Sequence, residues 1–454
     1  MMNNMKFNLT RGRVLAAATM LAMSFGLHAE IQGTPGSAFD LYAKQAQIST
    51  PDGDSIEIWG FSEDTNSVAQ YPGPTLIVDE GDTVVITVHN SDVPDDVSLL
   101  FPGQDQVSKT CSFASPGTLA NGCNVSGIDV VASGSDTIEY TFVASKPGTY
   151  LYQSGVSPQV QTDMGLVGTL IVRPTATAVP GNAVGLAYNN TETAYDREYL
   201  FFLSEMDPKL HYLAQSGGLN QWDNADYRSV LFFMNGRNAP DTLADDFIPQ
   251  MPHQPYGNLV KMYPGERILL RVVNVGRNQH PLHLHGNHYK QVARDGNLIV
   301  TTGGALSPLG DYTLNAVPGS TADLIYEWTG KDMGWDIYNA ATVHTCSDLV
   351  DNRTGLAPAD GFDDSSWEWC DDHGKSLPVV IPENQDLAFG GFYGGSPFLG
   401  DFGTLPIGEG GLNPSGGMVF MWHSHSEREL TNNDIFPGGM LTMMIVEKRP
   451  PLAP

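Results

Sequence analysis

A chain of 454 residues is long enough for two or three domains with full cores. Its 51 Asp and Glu against 23 Lys and Arg give a formal net charge of -28, a surface that repels nucleic acid and anionic membranes and so excludes both as partners. The same charge attracts cations or a basic partner, and it equally suits plain solubility in a salty medium.

Residues 1–29 read as a bacterial secretory leader. Lys6, Arg11 and Arg13 form its basic end, Val14 to Leu27 its apolar stretch, and Leu27-His28-Ala29 a small-residue cleavage site. The apolar stretch is too short to span a bilayer, and no later segment qualifies as a membrane span. Arg11-Gly-Arg13 lacks the adjacent arginines of a twin-arginine signal. The expectation is Sec-type export into the periplasm or medium of a Gram-negative-like bacterium.

After the leader, short β-branched runs recur between Gly and Pro turn signals, the pattern of an all-β sandwich or barrel. A first set of strands is expected at 75–79, 83–89, 137–143 and 168–172. Residues 30–175 form a first domain and 176–197 a linker. A second set at 198–204, 231–236, 267–274, 322–328 and 440–447 builds a second domain, 198–454. The halves repeat one another: Pro74 to Asn90 and Asn258 to Asn274 both read strand, Gly turn, strand, Asn. Residues 331–415, rich in Gly, Asp and Pro, form an irregular insert in the second domain.

Four cysteines in an exported chain imply two disulfides. Proximity in sequence pairs Cys111 with Cys123 and Cys346 with Cys370, which leaves no thiolate for a metal. The acidic run from Asp360 to His373 offers clustered oxygens of the kind calcium uses, but it lacks EF-hand spacing and reads better as a solvated, disulfide-tied loop. His344 and His373 flank the two insert cysteines on that loop.

Six of the twelve histidines fall in two short clusters, His280-Pro-Leu-His-Leu-His-Gly-Asn-His288 and Trp422-His-Ser-His425. Imidazole is the commonest side-chain ligand for copper and zinc, and a strand aims alternate residues at one side. His283 with His285, and His423 with His425, are such pairs, and two antiparallel strands could set four nitrogens around one metal. The competing reading makes them hydrogen-bonded relics in a polar core, which requires a partner for every buried imidazole. His288, in a loop, is a weaker fifth candidate. Met418, Met421, Met440, Met443 and Met444 gather nearby; thioethers suit Cu(I), but such methionines more often fill a core, and alternation assigns Met443 to it.

Gly73-Pro-Thr-x-x-Val-x-x-Gly-Asp82, Phe233-Met-Asn-Gly-Arg237, His280-Pro-x-His-Leu-His-Gly286 and Phe436-Pro-Gly-Gly-Met440 resemble the multicopper oxidases. That resemblance implies two cupredoxin-like Greek-key β-sandwiches, as in the small two-domain members and the related nitrite reductases, which assemble as trimers with interdomain copper sites. It implies four coppers in a working member, with two His-x-His pairs from the first domain. Here the matching positions read Leu99-Leu-Phe-Pro-Gly103 and Gln153-Ser-Gly155. In the second domain it makes His280 a type 1 ligand and His283 and His285 ligands of the trinuclear cluster. The closing His-Cys-His reads His423-Ser424-His425, the later histidine position is Glu429, and Met440 follows an extra loop. A blue-copper site depends on a thiolate, which serine cannot replace. His280 is then expected as a surface relic beside Ser424 and Glu429.

The expected function is therefore an exported copper-binding protein with one or two ions rather than four, on His283, His285, His423 and His425, with His280, His288 and Met440 as weaker candidates. As a copper oxidoreductase it would need an external redox partner, because no internal relay remains. The alternatives are a structural or interaction subunit of an extracellular assembly, or a copper sequestration protein.

Overall fold

The structure, a computed structural model, describes residues 31–450 apart from 115–116, 118, 120, 125–128, 133, 177–178, 180–182, 348–359, 379–392, 396 and 401–416, with the backbone alone at 393–395. The expected leader and much of the insert lie outside these residues.

The fold is all-β, with two sandwich domains. In the first, one five-stranded sheet runs in the order Thr34–Pro35, Leu76–Asp79, Val167–Arg173, Gly148–Ser154, Leu99–Leu100. It faces a second in the order Ser55–Ser62, Ala38–Ser49, Thr83–Asn90, Thr137–Val143, Ser108–Ser112. Thr83–Asn90 shows why: Val84, Ile86 and Val88 point inward at period two, while Thr83, Val85 and Thr87 face outward. Those inward residues pack with Trp59, Phe61, Leu76 and Tyr152.

In the second domain, Leu231–Met234, Arg197–Met206, Arg267–Asn274, Thr321–Glu327, Tyr289–Arg294 and Asn297–Leu298 form one sheet. Val260–Met262, Leu441–Val446, Met418–Ser424, His280–Leu284 and Thr313–Ala316 form the other. Phe201, Leu270, Leu324, Tyr326 and Trp422 lie between them. Met440 and Met444 belong to this core, whereas Met443 is only half-buried. Period two along the last strand sends Met444 and Val446 inward, so the expectation that Met443 fills the core was one residue out of phase.

Arg267–Asn274 is buried on both faces, because its outer side packs on the first domain. Phe202, Met206, Phe233 and Val273 there meet Ile58, Tyr71, Leu151 and Val167. This explains a strand whose apolar residues, Ile268 to Leu270 and Val272 to Val273, run consecutively on either side of Arg271 rather than alternating. The expected linker also packs. Gly185–Leu186 pairs antiparallel with Ala194–Tyr195, and Ala187, Tyr188 and Tyr195 bury against Leu269 and Ile325. Its aromatic residues make it a docked hairpin rather than a free tether.

A polar knot sits in this interface. Fully buried Arg271 reaches Glu198 Oε2 at 3.2 Å and donates to Thr149 Oγ1 at 3.0 Å, and Thr149 Oγ1 donates to Asp323 Oδ1 at 2.6 Å. Arg173 also pairs with Glu198, and the Tyr188 hydroxyl donates to Asp323. Replacing Thr149 by Val keeps the shape but removes the hydroxyl that links Arg271 to Asp323. The expected cost is about 1–3 kcal/mol, the penalty of leaving buried polar groups short of a partner, read from urea unfolding.

The Phe233-to-Arg237 motif serves the same interface. Asn235 and Gly236 both take positive φ, 51° and 78°, the conformation of a tight type I′ turn. A Cβ at Gly236 would meet the Tyr71 carbonyl oxygen at 2.2 Å, so only glycine fits there.

Both expected disulfides form, Cys111–Cys123 and Cys346–Cys370. Among the described residues no helix is long and apolar enough to cross a membrane. The described part of the insert is largely irregular, with short strands Phe362–Asp363 and Glu368–Trp369 and a strand Tyr393–Gly395 added beside Met418–Ser424. Three of its acidic side chains are spent locally. Asp360 accepts from Phe362 N–H, Asp363 from Ser347 and Ser365 N–H, and Asp372 from Gly334 N–H and Lys375 Nζ. The calcium idea draws no support from them.

Candidate metal centre

Two neighbouring strands bring the histidine clusters together. His280–Leu284 lies antiparallel to Met418–Ser424, with His283 opposite His423 and Leu282 opposite Ser424. Leu282, Leu284 and Trp422 point into the core. Period two therefore sends His283, His285 and His423 to the other face.

There the three imidazoles converge. His285 Nε2 lies 3.1 Å from His423 Nε2, and one nitrogen from each of His283, His285 and His423 lies within 4.8 Å of the others. The ring centroids are 4.6 Å apart for His283 and His285 and 5.1 Å for His285 and His423. All three side chains are buried.

Two of the rings are held from behind, and the third residue is held by its backbone. His283 Nδ1 bonds Thr313 Oγ1 at 2.6 Å, and His423 Nδ1 donates to the Ser424 carbonyl at 2.6 Å, which turns Nε2 toward the cluster. The His285 carbonyl accepts from Trp422 Nε1 at 3.0 Å and Tyr326 OH at 3.1 Å. Gly286 follows with φ of 101°, and a Cβ there would meet the Tyr326 hydroxyl at 2.6 Å. Burial pushes the His423 pKa down to about 4, against the pull of the Ser424 carbonyl, so the ring is neutral at pH 7. Neutral imidazole is the form that ligates metals, and such backing bonds fix the tautomer and aim of a ligand.

The other expected residues take separate places. His425 is exposed at the rim, its ring 4.9 Å from that of His283. His288 is exposed, against Tyr312 at 5.2 Å. Met440 lies in the apolar core.

His280 is not a surface relic. It is fully buried, on the opposite face of its strand from His283, between two carboxylates. Nε2 lies 2.9 Å from Glu205 Oε2, and Nδ1 lies 2.8 Å from Glu429 Oε2. The Ser424 hydroxyl donates to the same Glu429 oxygen at 2.6 Å. Glu205 Oε1 also accepts from the Arg277 and Asn278 N–H groups at 2.7 and 2.9 Å. Burial alone would lower the His280 pKa, but the two carboxylates outweigh it and push it up to about 9. The positions expected to hold a type 1 copper are thus filled by an imidazolium between two acids. Glu205 escaped the sequence reading; its only signal was one acid in the apolar run Tyr199 to Met206.

The first domain has the same strand arrangement without imidazoles. Leu99–Leu100 runs antiparallel to Gly148–Ser154, pairing Leu99 with Ser154 and Leu100 with Gln153. Between residues 31 and 197 the only histidine is His89, on the other sheet, bonded to Asp40 at 2.8 Å and stacked on Tyr42.

Comparison with known proteins agrees with this architecture. Residues 47–177 and 223–318 match two sequence models described as multicopper oxidase. A stretch of 105 residues is 33% identical to laccase 1 of Metarhizium acridum, covering 23% of this chain and 15% of the laccase. The chain thus spans under a sixth of that relative's length. The fold is similar to that of the blue copper oxidase of Nitrosomonas europaea, with a TM-score of 0.52 and 18% identity over 90% of this chain and 85% of that one.

Proposed function

The chain belongs to the multicopper oxidase family, and from that premise we propose that it is an exported member holding a single copper on His283, His285 and His423 instead of the family's four. The observation that carries this reading is the convergence of three buried imidazoles, with the His283 and His423 rings braced from behind. Three imidazole nitrogens are a donor set that suits copper. His425, at the exposed rim, is placed to add a fourth nitrogen from the solvent side.

Against a full complement stand three local facts. Ser424 occupies the position of the type 1 thiolate and spends its hydroxyl on Glu429. Both nitrogens of His280 are engaged by carboxylates. The first domain presents Leu99, Leu100, Gln153 and Ser154 at its matching strand pair. A copper bound at the three histidines supplies one-electron redox chemistry. The protein's part is to hold three rings fixed on a buried face with one exposed ring beside them. With no second relay site among the described residues, electrons would come from an external donor. Two formed disulfides and the leader-like sequence of residues 1–29 support a place outside the cytoplasm.

The test is to load the purified chain with Cu(II) and record its optical and EPR spectra and its oxygen uptake with a phenolic donor. The expected result is a type 2 EPR signal, no intense blue band and no rapid reduction of oxygen to water. A blue band with rapid uptake would overturn the reading.

A further inference from the structure

Away from the three histidines, the insert gathers another donor set. Asp336, His344, Glu368 and His373 come from sites up to 37 residues apart in sequence, and one ligand atom from each lies within 4.8 Å of all the others. The Cys346–Cys370 disulfide does the gathering: His344 lies two residues before one cysteine and His373 three after the other. The two rings stand 4.5 Å apart, edge to face.

Their geometry is convergent. His344 donates from Nδ1 to the Thr342 carbonyl at 3.0 Å, which turns Nε2 toward Glu368 Oε2 at 3.1 Å and Asp336 Oδ2 at 3.5 Å. His373 Nδ1 faces Glu368 Oε1 at 3.3 Å and Asp336 Oδ2 at 3.9 Å. Asp336 is fixed by Tyr338 N–H on Oδ1 and Gly374 N–H on Oδ2, both at 2.8 Å. The Asp336 and Glu368 side chains are 0% and 2% exposed. Glu368 Oε1 is buried and accepts no hydrogen bond among the described residues. A buried carboxylate oxygen in that state calls for a partner of another kind.

We propose that Asp336, His344, Glu368 and His373 form a second, structural metal site for a zinc ion, tying the disulfide-linked loop of the insert to Asp336 near the insert's start. Two imidazole nitrogens and two carboxylate oxygens make a tetrahedral set that suits zinc. Imidazole ligands disfavour calcium and magnesium, which prefer oxygen throughout. Both nearby cysteines are bound to each other, so no thiolate competes. One divalent ion balances the charge of both carboxylates.

The experiment counts zinc per full-length chain after chelation and reloading, in four proteins. They are the wild type, His344→Ala/His373→Ala, Glu368→Gln, and His283→Ala/His423→Ala. The insert pair should lose one equivalent relative to wild type, and Glu368→Gln should weaken that equivalent by more than the about 100-fold typical of losing an outer partner. The His283/His423 variant should keep it, which separates this site from the copper site whatever the latter binds. Thiol titration confirming that Cys346–Cys370 stays closed shows that the isosteric Glu368→Gln insert is intact. Undiminished zinc in both insert variants, or no zinc retained by His283→Ala/His423→Ala, would overturn the proposal.

Discussion

Replacing His423 by alanine is expected to weaken copper binding by more than about 100-fold, since even an outer partner of a ligand contributes 10- to 100-fold. In the wild type, copper at about 1,000 times its Kd should add about 4 kcal/mol of stability, because only the folded chain assembles the three nitrogens. In His423→Ala that copper-dependent rise in Tm should vanish. The copper-free variant should itself lose about 1–3 kcal/mol relative to the copper-free wild type. The reason is local: the lost ring leaves the Ser424 carbonyl without its 2.6 Å donor and His285 Nε2 without its neighbour at 3.1 Å. Differential scanning calorimetry with and without copper checks both halves. A copper-dependent rise that survives the substitution would remove His423 from the site.

The second large effect concerns His280. Its folded pKa of about 9 lies above the unfolded value of about 6.5. The stabilisation it supplies is fully present below pH 6.5 and is lost as pH rises toward 9. The displacement corresponds to ~3 kcal/mol. His280→Ala leaves Glu205 and Glu429 buried without their shared cation, which should cost about 3–5 kcal/mol near pH 6. That cost should shrink sharply by pH 9.5, where the wild-type ring has also lost its proton. Urea unfolding of the two proteins at both pH values measures it. An equal cost at both would show that the ring packs without carrying charge.

Much of this was legible in the sequence because it depends on short-range pattern. Period two in Thr83–Asn90 and in His280–Leu284 fixes which side chains share a face, and the Cys pairs closed as their spacing suggested. The same rule already separates His280 from His283, three residues apart and hence on opposite faces, yet His280 was read as a surface residue. Its burial depends on Glu205, which lies 75 residues away on the other sheet. The uninterrupted burial of Arg267–Asn274 depends on a whole domain packed against it, which no local window contains. The insert's four ligands were the least legible. None forms a recognisable motif, and it takes the disulfide and the fold of the loop to bring Asp336 and Glu368 to the two histidines.

The central claim is one copper at His283, His285 and His423. Its most direct measurement is copper per chain by elemental mass spectrometry, with EPR, on wild type and His283→Ala/His423→Ala loaded and desalted side by side. Wild type should hold one copper more than the variant, and this copper should carry a type 2 signal. A difference of zero, or a difference of several ions with a blue type 1 spectrum, would contradict it.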